Sequence, residues 1–84
     1  MVDLNIREEI PDGAIILENY AYDNSIVGIT TDGRVVYDFY RMVEEFAMEE
    51  DCTTEEAMDW ICYNTLRAIP YMGEMAPIVM YGLE

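Results

Sequence analysis

The chain contains no lysine and no histidine. Among its 84 residues, eighteen acidic side chains face four basic ones, all arginine: Arg7, Arg34, Arg41 and Arg67. The missing histidine and lysine are the two commonest general bases, and histidine is also the commonest zinc ligand. Ser25 is the sole serine and has no imidazole to activate it. A two-carboxylate hydrolase would need a substrate cleft, and a chain this short leaves little room for one. The expectation is a protein that is not an enzyme.

Other absences narrow the class further. The two cysteines, Cys52 and Cys62, are too few for a disulfide framework. If Cys62 lies two to three turns into a helix that starts just after Cys52, the pair is ~15 Å apart. A disulfide needs Cα atoms within ~7 Å. Two free thiols in a reducing cytoplasm are therefore expected. No stretch approaches the ~20 apolar residues of a membrane span. The opening residues Met1 to Ile6 have neither the basic nor the apolar region of a secretion signal. No Asp-rich loop gathers calcium ligands, so no metal or cofactor is expected.

What is present is charge and apolar surface together. The formal charge is −14, which repels nucleic acid and anionic membrane and steers toward basic protein surfaces. Yet 52% of the residues are apolar and 12% aromatic, too hydrophobic for the disordered acidic class. The chain is read as one folded domain. Below roughly 70–80 residues a single core rarely supplies more than ~3–5 kcal/mol, and this chain is little longer. Some apolar surface is then expected to be covered by a partner or a second copy.

Residues 1–13 are polar, end in Pro11-Asp12-Gly13, and read as a loosely held N-terminal arm. Ala14-Ile15-Ile16-Leu17, with Tyr20-Ala21-Tyr22 as an extension, reads as a first strand. Ile26–Thr31 and Arg34–Tyr37 are β-branched runs joined by Asp32-Gly33, the signature of a two-residue type I′ hairpin. That loop would pair Thr31 with Arg34, Thr30 with Val35 and Ile29 with Val36. Val27, Ile29 and Val36 would then face the core, and Ile26, Val35 and Tyr37 the other side.

The period next changes from two to 3.6. Phe39, Met42, Val43, Phe46 and Ala47 form a helical stripe, with Asp38 as N-cap and an end near Glu50-Asp51. Thr53 and Glu56 form a capping box that opens a second helix. Its expected stripe is Met58, Ile61, Cys62, Thr65 and Ile69, flanked by Ala57 and Ala68, and Pro70 ends it. Ala76–Tyr81 is a last strand, whose proline predicts an edge position or a strand start. The expected fold is α+β in the order βββααβ: a small antiparallel sheet with two amphipathic helices on one face.

The acid is concentrated. Asp38, Glu44, Glu45, Glu49, Glu50, Asp51, Glu55, Glu56 and Asp59 face only Arg41, giving −8 in the segment 38–59. A solvated helix face accounts for part of this, and Glu55 and Glu56 suit a helix N-terminus. It does not account for Glu49, Glu50 and Asp51 at the end of the first helix, where acid opposes the dipole, nor for the absence of lysine, since solubilising surfaces mix both signs. The alternative is an acidic array that imitates the phosphate rows of a duplex, about one charge per 1.7 Å. Its candidate contact residues are Glu44, Glu45, Glu49, Glu50, Asp51, Glu55, Glu56 and Asp59. Trp60, Tyr63, Arg67 and Tyr71 are a candidate hot spot, with Tyr63 and Arg67 spaced for a cation–π contact.

The stretches Asp23–Thr30, Asp32–Asp38, Glu55–Ala57 and Tyr63–Tyr71 resemble a group of small acidic proteins of bacteria and their phages and mobile elements. The likeness spans residues 14–81. It implies this fold and a bacterial or phage origin, hence the cytoplasm of a bacterial host cell. By type, such proteins are similar to anti-CRISPR inhibitors. The leading expectation is an acidic inhibitor of the DNA-mimic type whose partner is a basic protein surface, such as the nucleic-acid channel of an RNA-guided nuclease. It would touch neither nucleic acid nor membrane directly. The alternatives are an antitoxin-like or adaptor protein with a basic partner, and a structural homodimer.

Overall fold

Alternating apolar residues on either side of Asp32-Gly33 form a hairpin of β1 (Ile26–Ile29) and β2 (Val35–Asp38). The structure, a computed structural model, describes Ile10, Pro11 and residues 13–83. Most of the N-terminal arm therefore lies outside the described residues. From β2 the chain runs through α1 (Phe39–Glu50) and α2 (Thr54–Trp60) into a π-helical stretch, Ile61–Leu66. A 3₁₀ turn at Ile69–Tyr71 and a short loop lead to β3 (Ile78–Met80). The sheet order is β1-β2-β3, antiparallel between β1 and β2 and parallel between β2 and β3. The fold is α+β, but its sheet is mixed rather than wholly antiparallel. A parallel neighbour needs a connection of a dozen or more residues, and the helices between Phe39 and Tyr71 supply it.

The hairpin differs from its expected register by one residue. Ile29 pairs with Val35, and the Thr30 N–H donates to the Arg34 carbonyl at 2.8 Å. The loop is thus Thr31-Asp32-Gly33, three residues rather than two. Gly33 takes φ +91, a region that suits glycine, and its N–H donates to the Thr30 carbonyl at 2.9 Å. Thr30 stabilises this longer turn. Its hydroxyl bonds the Asp32 carboxylate and accepts from the Arg34 N–H at 2.9 Å. The inward side of β2 is the one from which the Tyr37 hydroxyl accepts the Leu17 N–H, so Val35 and Tyr37 are its buried residues, while Val27 and Ile29 are exposed and Val36 is only half-buried. The expected core face Val27, Ile29 and Val36 is overturned. An irregularity between Ile26 and Gly28 further bends β1.

The expected first strand is absent. Residues 14–19 are irregular, and Tyr20–Ser25 is a 3₁₀ helix. Asn19 starts that helix early, its side-chain oxygen accepting from the Ala21 N–H at 2.9 Å. Leu17 is still buried, as an apolar run predicts, but its N–H donates to the Tyr37 hydroxyl at 3.0 Å instead of joining a ladder. The 3₁₀ helix packs against α1.

α1 matches its stripe: Phe39, Met42, Val43 and Phe46 are buried, and Ala47 packs beside them. The Asp38 side chain caps it, accepting from the Tyr40 N–H at 3.2 Å. α2 has its capping box: the Glu56 N–H donates to the Thr53 hydroxyl, and the Thr53 N–H to the Glu56 carboxylate, both at 3.1 Å. Its stripe needs correction. Ala57 and Ile61 are buried, Leu66 packs against the core, and Met58 and Cys62 are exposed. The wide turn between Ile61 and Leu66 adds a residue to the helical repeat, so the core contact after Ile61 falls on Leu66. Leu17, Tyr22, Val35, Tyr37 and Ile61 join the α1 residues in one core.

Candidate interaction site

The carboxylates gather at the corner where α1 meets α2. Helix 1 ends on Asp51, a non-glycine residue at φ 51. The Cys52 N–H donates to the Ala47 carbonyl at 3.1 Å, the six-to-one bond of a Schellman turn. Cys52 and Ala47 both pack against the core there, so the short link to Thr53 is fixed. The end of one acidic helix is thereby held against the start of the next. The Cys52 thiol registers the result: burial pushes it up, and the charges of Glu56, Glu50 and Asp51 push it further. Such a thiol is a poor nucleophile, and both cysteines are free.

Each acidic residue can be placed. Glu44, Glu49, Glu50, Asp51, Glu55, Glu56 and Asp59 are exposed, and Glu45 is half-buried. Glu44 and Glu45 lie roughly 100° apart around α1, so Glu45 and Glu49 form one flank. Glu44 lies on the other side of exposed Met48. Glu55 and Asp59, one turn apart, lie on the side of α2 away from buried Ala57. Glu56 is engaged in the capping box. The Thr53 N–H and then its hydroxyl hold the Glu56 carboxyl below its ordinary value. Among the described residues, Arg41 lies 3.8 Å from Asp38, and no arginine forms an ion pair with any of the eight candidate acids. The structure thus brings Glu49, Glu50, Asp51, Glu55 and Glu56 to one corner, with Glu44, Glu45 and Asp59 extending from it along the two helices.

The aromatic residues divide. Trp60 stacks on Phe46 with ring centres 4.8 Å apart, and Phe46 in turn stacks on Tyr22 at 6.4 Å. Trp60 therefore continues the core outward, with about half its surface exposed (47%). Tyr63 and Arg67 do form the cation–π pair, 5.1 Å from guanidinium to ring centre, and both are exposed. Tyr71, in the 3₁₀ turn, is 90% exposed. A second aromatic group was not foreseen. Phe39, Tyr40 and Tyr81 meet at 5.4–6.2 Å where β3 ends beside the start of α1. Tyr40 and Tyr81 lie far apart in the sequence, so only the fold brings them together.

A cavity of about 570 Å³ opens between Ile15–Asn19 and the helix from Trp60 to Ala68. Sequence reading missed it, because it depends on the π-helical turn and on a segment taken for a strand. Among the described residues, no three thiol or carboxylate side chains converge to hold a metal ion, and no helix is long and apolar enough to cross a membrane. Comparison with family models, curated proteins and solved structures found no match to this chain.

Proposed function

We propose that the protein is a non-enzymatic acidic inhibitor of the anti-CRISPR type, which occupies the basic nucleic-acid channel of an RNA-guided nuclease or a similar protein. The observation that carries this is the corner between α1 and α2. Glu49, Glu50 and Asp51 crowd the end of α1, where the helix dipole disfavours negative charge. Asp51 also adopts a left-handed conformation that glycine would take more easily. Charge placed against local stability is explained when a basic partner neutralises it. The partner's arginines and lysines would pair with these carboxylates as they do with phosphates, releasing counterions to the solvent.

The test is a target-cleavage assay with purified RNA-guided nucleases, the protein being added before or after guide and target. Inhibition that vanishes once target is bound supports competition for the channel. The variant carrying Glu45→Gln, Glu49→Gln, Glu55→Gln and Asp59→Gln is expected to keep its circular dichroism and lose inhibition. Equal inhibition by this folded variant would sink the proposal.

Self-association is a second reading, favoured by the sheet. β3 is an edge strand, and Val27 and Met80 leave exposed apolar surface on the sheet with Tyr81 beside them. A dimer mass by light scattering that persists at about 1 M salt, where charge is screened, would favour it.

A further inference from the structure

The cavity beside Trp60 has features that neither the acidic corner nor the fold requires. Its volume lies within the ~300–1,000 Å³ of small-molecule sites. Ile15, Ile16, Leu17, Ala68 and Met72 give it an apolar wall. Tyr22 also lines it, and the Tyr22 hydroxyl is fully buried without a hydrogen-bond partner. Thr65, another wall residue, stands beside that hydroxyl but outside bonding geometry. An orphaned buried hydroxyl is costly and calls for an explanation. The wall here is also the π-helical turn, a distortion frequent at functional sites. Asn64 and Thr65 reach the cavity from it. The Asn64 amide donates to the Trp60 carbonyl at 2.9 Å, which leaves its own oxygen as an acceptor.

Charge selects the ligand. Glu18 lines the cavity and no arginine does. The Tyr22 hydroxyl's pKa is raised by burial; the Thr65 side chain works against that rise, and the charges of Glu49 and Glu50 add to it, so negative potential reaches this wall. Trp60 offers an indole ring, the strongest aromatic partner for a cation. We propose that this cavity binds a small flat organic cation, an aromatic ring bearing an ammonium or amidinium group. The ring lies against Ile16, Met72 and Trp60, and the cationic N–H groups donate to Thr65, Tyr22 and the free Asn64 oxygen.

Trp60 is the single tryptophan, so its fluorescence reports on this site directly. Titration with benzamidine, neutral benzamide and anionic benzoate separates charge from shape. Benzamidine is expected to saturate with a dissociation constant of about 1 mM or below, at least about tenfold tighter than benzamide. Benzoate is expected not to bind. Ala68→Leu, which fills the cavity and leaves every carboxylate in place, should weaken benzamidine at least about tenfold. Tyr22→Phe should weaken it several-fold without lowering the melting temperature. Equal benzamidine binding by Ala68→Leu would mean adsorption to the acidic surface and would overturn the proposal. So would equal affinity for all three probes, or no saturable change at Trp60.

Discussion

At the residue scale, the corner between the helices makes opposite demands on stability and on charge. Asp51 has φ 51 and stands where carbonyl dipoles point. Asp51→Gly should raise unfolding stability by about 1 kcal/mol, measured by urea denaturation, and should weaken inhibition. A stabilised variant with undiminished inhibition would remove Asp51 from the contact surface. Thr53 works the other way. Thr53→Ala removes the cap and should cost about 1 kcal/mol. It should also change the acid limb of the stability curve. The folded Glu56 carboxyl is depressed by its bonds to Thr53. Its contribution is therefore fully present above the unfolded value of about 4.3 and is lost as pH falls through the lower folded value. Denaturation at a series of pH values should show a shallower acid loss for the variant, since less remains to be lost.

At the scale of elements, legibility followed the range of the deciding interaction. α1, its Asp38 cap and the Thr53–Glu56 box were readable because every partner lies within four residues. The hairpin was readable as a hairpin, but its register was not. Asp-Gly suits a two-residue loop, and the competing three-residue turn depends on Thr30 bonding both Asp32 and Arg34. Gly33 is the test of that turn. A Cβ there would adopt φ +91 and meet the Met75 Cε at 3.2 Å. Gly33→Ala should cost about 1–2 kcal/mol, read from thermal or urea unfolding. A neutral effect would mean that residue 33 does not hold a left-handed conformation in solution. The strand expected at Ala14–Leu17 failed for a tertiary reason. Its backbone bonds the side chain of Tyr37, which no local pattern reveals. The acids were legible as a cluster, and their gathering at one corner required the αL turn at Asp51. The cavity was not legible at all, since periodicity assumes a uniform helix and the turn from Ile61 to Leu66 is not one.

At the scale of the whole molecule, the charge acts across the full width. The radius of gyration is 12.4 Å. Screening lengths run from about 30 Å at 0.01 M salt to about 3 Å at 1 M. At low salt each carboxylate therefore feels the others through the domain, and the repulsion opposes compactness. The melting temperature should rise steadily with sodium chloride over that range, and binding to a basic partner should weaken over it. A melting temperature that falls with salt would show that paired charges outweigh the repulsion. The parallel pairing of β2 with β3 extends this to the time before the fold is complete. Val36 pairs with Ile78 across both helices, and contacts so distant in sequence are expected to close late. Until then the far edge of β2 is unpaired, a template for another chain in the same condition. Two such half-folded copies each carry the full negative charge, so their encounter is repelled during the interval when it would do most harm.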